Sequence, residues 1–238
     1  MNITVAIAII IFLSVLVQAV SGSGLGLVGM PLLVSVISPV EASALMALVA
    51  ICTQAAIMLR YRSAITFNGL WRLVAGALIG IPIGIIALSH LDQHIILTLL
   101  GVILVVYTLY SLIAPQIPRL TNSNWGFIFG FASGLLHGAY NTGGPPYVIY
   151  GVSQRWSPPQ FKCNLQVLLM VNGVSVLIAH FTAGHYTAAV WQDFLIALPM
   201  VGLGALAGFF LDRYINEAAF SRIVLVLLLI IGIKMLIP

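Results

Sequence analysis

Two stretches of this chain place backbone N–H groups, hydroxyls and amides where an apolar sequence would otherwise run on. The first reads Ser21-Gly22-Ser23-Gly24-Leu25-Gly26-Leu27-Val28-Gly29-Met30-Pro31, the second His137-Gly138-Ala139-Tyr140-Asn141-Thr142-Gly143-Gly144-Pro145-Pro146. Aligning Gly29 with Gly144 also aligns Pro31 with Pro146, an offset of 115 residues in a chain of 238. A glycine-rich turn ahead of a helix leaves several N–H groups without an intrahelical acceptor, and the helix dipole adds positive potential there. The chemistry this suits is the binding of a small anion. Glycine lets the backbone approach a ligand closely and take positive φ. Pro31 and Pro145 or Pro146 read as first-turn residues, where a missing N–H leaves no bond unmade.

The candidate binding residues are therefore Ser21, Ser23, Gly24, Gly26 and Gly29 in the first break. In the second they are His137, Tyr140, Asn141, Thr142, Gly143 and Gly144. Four amides form an outer set. Gln54 and Asn172, 118 residues apart, each lie well inside the long apolar segment that follows a break, and Asn164 and Gln166 lie nearer the start of the second such segment. Amides at these depths either bridge helices or contact a ligand.

The elements that must position these groups are membrane helices. The chain is 61% hydrophobic and 6% charged with a mean hydropathy of +1.15, against about a quarter charged in a globular protein. Apolar segments near 3–21, 41–59, 68–89, 94–113, 125–139, 160–181, 187–211 and 218–237 are of spanning or near-spanning length. The segments 30–38 and 145–153 are too short and read as half-helices after the breaks. The expected fold is an all-α polytopic membrane protein. Residues 1–113 form a first repeat, 114–124 a linker and 125–238 a second repeat. Within each repeat a broken or re-entrant hairpin precedes three transmembrane helices. Gly80 and Gly84 align with Gly204 and Gly208 at an offset of 124, and with Gly76 they read as packing glycines.

Charge placement selects the topology. If each break lay inside a single crossing, the arginines would divide between the two faces. If each break turns the chain back, Arg60, Arg62, Arg72, Arg119, Arg155, Lys162, Arg213 and Arg222 share one face. The opposite face then receives Glu41, His90, Asp92, His94 and His185. The positive-inside tendency favours this inverted arrangement in a plasma membrane, with both termini outside and the two tips meeting near the midplane.

Other constellations carry less. The net charge of +4 orients the protein and implies no nucleic-acid partner. His90-Leu91-Asp92-Gln93-His94 has metal-like spacing but no further ligand nearby, and Cys52 and Cys163 read as small hydrophobes, so no metal or cofactor is expected. Glu41 opens a helix, where a carboxylate is stabilising. No nucleotide-binding motif is present, and His137 lacks the nucleophile or second titrating group an enzyme would need.

The two breaks, the second followed by Pro145-Pro146, resemble those of the sulfite exporter TauE/SafE family of membrane permeases, and the resemblance extends over essentially the whole chain. It implies a transporter that exports sulfite, organosulfonates or related organic anions. Residue by residue it points to Gly24, Gly26 and Gly29, and to Asn141, Thr142, Gly143 and Gly144; Leu25 and Leu27 depart from the more glycine-rich form of the first motif. The expected mechanism is alternating access around the paired breaks, with a proton as candidate coupling ion and a passive anion channel as the alternative.

Overall fold

The computed structural model describes residues 3–61, 70–113, 119–120, 122–211, 214 and 217–236. Arg62, Arg213 and most of the 114–124 linker lie outside the described residues. Among the described residues ten helices follow in order: α1 Ile3–Ser21, α2 Leu25–Leu33, α3 Pro39–Tyr61, α4 Trp71–His90, α5 Gln93–Ile113, α6 Trp125–Tyr140, α7 Gly144–Ser153, α8 Pro158–Thr182, α9 Ala188–Leu211 and α10 Glu217–Leu236. Six of them (α1, α3, α4, α5, α8 and α9) are long and apolar enough to cross a bilayer. The protein is an all-α polytopic membrane protein.

Burial sets the layers. Two thirds of the apolar window of α3 is buried, against 28% for α5 and α9, so α3 is central and the others face lipid. Leu78, Ile79, Ile83 and Ile86 on α4 and Leu195, Leu203, Leu206 and Phe210 on α9 are exposed, as lipid contact requires.

The glycines of α4 and α6 interlock. A Cβ on Gly76, Gly80 or Gly84 would strike the carbonyls of Phe127, Phe131 and Leu135 in turn. On the facing helix, Gly130, Gly134 and Gly138 lie against the carbonyls of Leu73, Ala77 and Ile81. Such contact brings two backbones together, which is how small residues drive helix association in lipid. Both registers climb together, so α4 and α6 run parallel. Gly204 against Phe12 and Val15, and Gly208 against Leu16 and Ala19, make α1 and α9 parallel in the same way.

Further contacts give the remaining directions. Ser43 meets His180 while Gln54 meets Gly173, so α3 and α8 are antiparallel. Glu41 acts electrostatically on Asp193, and the Arg60 guanidinium lies 4.5 Å over the Phe209 ring, so α3 and α9 are parallel. Leu73 packs with Leu165 and Leu168, and Ile81 and Ile85 pack with Val176 and Ala179, so α4 and α8 are parallel. Because α1 and α3 both run with α9, α2 must carry the chain back between them. Because α6 and α8 both run with α4, α7 does the same. Arg60, Arg72, Arg119, Arg155 and Arg222 consequently share one end of the bundle, opposite Glu41, His90, Asp92, His94 and His185.

The short helices correct the sequence register. α2 begins at Leu25 rather than near residue 30, and Pro31 lies inside it, toward its end. The positive φ of Gly24 (137°) makes the turn, and Leu25-Gly26-Leu27-Val28 already continues as helix. Helix starts therefore align at 119 residues, Leu25 with Gly144 and Pro39 with Pro158. Ser38 and Glu41 form a reciprocal cap at the start of α3, as Ser157 and Gln160 do at α8. The expected first-turn role holds for Pro145 and not for Pro31.

Candidate functional site

Each break is a helix end that turns through the left-handed region. α1 ends where Gly22 takes φ 75°, its N–H donating to the Gln18 carbonyl at 2.9 Å. α6 ends where Asn141 takes φ 51°, its N–H donating to the His137 carbonyl at 2.8 Å. Glycine and asparagine are the residues that adopt this conformation at least cost.

The two ends converge on one cavity. Its polar wall is Gln18, Ser23, Gly24, Gly26, Gln54, His137, Asn141, Thr142 and Gly144, completed by Leu25, Leu27, Ala50 and Leu169. Ala50 and Leu169 lie halfway along α3 and α8, so the cavity is at mid-depth. The fit between the breaks is tight, since a Cβ on Gly26 would overlap the Asn141 carbonyl. Among the described residues no Asp, Glu, Lys or Arg lines it. Positive potential comes from the N-termini of α2 and α7, and the N–H groups of Gly26 and Leu27 have no helical acceptor by position.

Unpaired polar atoms gather here. Among the described residues, eight buried side-chain N or O atoms lack a partner, and six belong to Gln54, His137 (both ring nitrogens), Asn141, Gln166 and Asn172. Each such atom costs about 1–3 kcal/mol if left unsatisfied. Four of the eight, on Gln54, His137 and Asn141, belong to side chains that line the cavity.

Other sequence-derived candidates sit around the cavity. Gln166 donates to the Gly22 carbonyl at 2.8 Å, and Asn172 accepts from the Tyr147 hydroxyl at 3.0 Å. The Ser21 hydroxyl donates within its own turn to the Val17 carbonyl at 2.8 Å and to the Ser23 carbonyl. Gly143 gives its carbonyl to Ser133 at 2.5 Å and leaves no room for a Cβ beside His137. Asn164 is buried but does not line the cavity. Gly29 packs against Met46 and Ser14, and Tyr140 donates to the Ile96 carbonyl at 3.2 Å, so both point elsewhere. Sequence reasoning missed Gln18, whose Oε1 accepts from the Leu25 N–H at 3.0 Å. The signal was present: Gln18 precedes Gly22 by one turn, as His137 precedes Asn141.

The model of the sulfite exporter TauE/SafE family matches residues 7–235, nearly the whole chain. The protein belongs to this family. It is thus a membrane transport protein and not an enzyme. A curated TauE/SafE relative, the probable sulfite/organosulfonate exporter TauE of Cupriavidus necator, is 28% identical over 177 residues, covering 71% of this chain and 69% of the relative. No solved structure matches.

Proposed function

We propose that this TauE/SafE protein is a secondary transporter that exports a small sulfur-containing anion, sulfite or an organosulfonate. The observation that carries the reading is the convergence of both breaks on one cavity, which among the described residues is lined by no Asp, Glu, Lys or Arg and holds four of the eight buried unpaired side-chain atoms, on Gln54, His137 and Asn141. Neutral donors and helix dipoles hold an anion without stranding a buried arginine in lipid. The sulfur-containing class comes from the family and from the name of the Cupriavidus relative.

The two halves act as inverted repeats, 1–113 and 125–238, joined by the 114–124 linker. Their packing supports this. Exchanging α1–α5 for α6–α10 turns the α4–α6 contact into α9–α1, and leaves the α3–α8 and α5–α10 pairs unchanged. Antiparallel α3 and α8 are what inversion requires. Rocking of one half on the other would open the central cavity to each face in turn. The arginine-bearing end is cytoplasmic and both termini are outside in a plasma membrane; cysteines placed at Arg60 and Arg155 should both be labelled from the cytoplasmic face.

The decisive experiment is flux in proteoliposomes with labelled sulfite, a sulfonate and a carboxylate. Saturable movement of the sulfur anions is expected, with affinity lost in Asn141→Gly and Thr142→Ala while the fold is kept. Gly at 141 retains the left-handed backbone, so the variant removes the amide alone. Absence of flux and of binding for every anion would refute the reading, and non-saturating flux would mark a channel.

A further inference from the structure

A hydrogen-bonded chain leads from the end opposite the arginines to the second break. His185 lies half-buried in the short turn after α8, and its Nδ1 is 2.8 Å from Nδ1 of His180. The far side of the His180 ring, Nε2, is 3.1 Å from the Ser43 hydroxyl on α3. Asn141 donates from Nδ2 to that same hydroxyl at 3.2 Å and to the Ser43 carbonyl at 2.7 Å. His180, Ser43 and Asn141 are all buried. The lining of the central cavity does not include the two imidazoles.

Facing Nδ1 atoms at this distance must share one hydrogen, one ring donating and the other accepting. In the neutral pair one arrangement satisfies each of these groups. His180 donates from Nδ1 to His185, accepts at Nε2 from the Ser43 O–H, and Ser43 accepts in turn from Asn141. One added proton changes this. The two rings then carry three N–H hydrogens instead of two: one between the Nδ1 atoms, one on Nε2 of His185 and one on Nε2 of His180. The Ser43 hydroxyl must rotate its own hydrogen away and become acceptor for His180 as well as for Asn141. A positive charge now sits two hydrogen bonds from a residue that lines the cavity.

We propose that His180 and His185 form a one-proton binding site, coupled through Ser43 to Asn141, and that protonation there strengthens anion binding at the cavity. The coupling clause rests on the cavity being the anion site. Linkage is reciprocal, so a bound anion must raise the proton affinity of the pair by the same factor.

Other titratable groups at this end do not replace the pair. Tyr186 stacks near His180 with ring centroids 6.2 Å apart. Glu41 on α3 is engaged with Ser38, Asp193 on α9 lies within electrostatic reach of Glu41, and His90 ends α4. Neither imidazole has an ion-pair partner among the described residues. Partial burial pushes His185 below its ordinary value of 6.5, so protonation belongs to the acid side of neutrality.

Two measurements test this. The first is binding of methanesulfonate, which does not itself titrate between about pH 5 and 8 where histidine does, to the full chain in nanodiscs. Affinity should rise about five-fold or more on acidification, and His185→Ala and His185→Gln should flatten that dependence. An unchanged pH profile in both variants would overturn the proposal. The second needs no anion: ring-nitrogen NMR of histidine-labelled protein with the Asn141 side-chain amide followed in parallel. The rings should take up one proton as a unit, with the Asn141 amide shifting in the same titration and ceasing to respond in Ser43→Ala. Independent titration, or an Asn141 signal that ignores pH, would overturn the proton site itself. If the NMR result holds while methanesulfonate binds at no pH, the cavity reading fails and the proton site stands without the coupling.

Discussion

The two breaks have the same architecture and opposite chemistry. At the first, the polar groups close on one another: Gln18 caps the Leu25 N–H, Gln166 takes the Gly22 carbonyl and Ser21 turns back on Ser23. What remains open is the N–H groups of Gly26 and Leu27 together with Oε1 of Gln166. At the second, Pro145 and Pro146 have no N–H to offer, which leaves the Gly144 N–H and several side-chain atoms. Both nitrogens of His137 and Oδ1 of Asn141 are unpaired. A satisfied polar network is rigid, whereas an unsatisfied one stores free energy that a ligand can release. On the proposed function the first break would serve as a preformed cradle and the second would supply adjustable contacts, with Asn141 linked through Ser43 to His180.

The hardest way to break the comparison is at the point where the two meet. Gly26→Ala would drive a Cβ into the Asn141 carbonyl, a backbone group that cannot step aside. A loss of about 3 kcal/mol or more is expected, read as a lower melting temperature and absent flux. Gly144→Ala is the matched control, since its nearest neighbour would be Ser23 at 3.8 Å; its melting temperature should not fall.

A second contrast exchanges stability against affinity. Gln18→Leu leaves the Leu25 N–H without its acceptor and should cost about 1–3 kcal/mol, measured by thermal unfolding. His137→Leu removes two unpaired nitrogens, so stability should hold or rise while sulfite affinity falls. If His137→Leu destabilised the protein and Gln18→Leu did not, the assignment of cradle and contact would be reversed.

The smallest effect is with pH. His185 has its proton affinity lowered by burial, so the folded state favours the neutral ring. Its contribution to stability is complete above pH 6.5 and is lost as pH falls. A melting temperature that drops modestly on acidification, and drops less in His185→Ala, is the expected result.

Much of this was legible in the chain. Apart from α2, helix ends agree with the sequence reading within two or three residues, as at Ile113 or Trp125. The glycines of α4 and α9 were read as packing residues and lie on neighbouring backbones. The register of 115 was misread because glycine is common in both breaks. The caps Ser38-Pro39-Val40-Glu41 and Ser157-Pro158-Pro159-Gln160 would have indicated 119, since a cap needs one residue at one place. Gly29 and Tyr140 shared the breaks' composition but face away from the cavity, and composition carries no direction.

By itself the sequence determined a polytopic helical membrane protein broken at two glycine-rich turns, because hydropathy and helix-stop residues act locally. Charge placement also pointed to both breaks turning the chain back, but tertiary structure alone decided that Gly26 seats against Asn141. It also decided that His180 and Ser43, 137 residues apart, share a hydrogen bond. Those facts depend on which backbones glycine lets approach, and that depends on two surfaces at once.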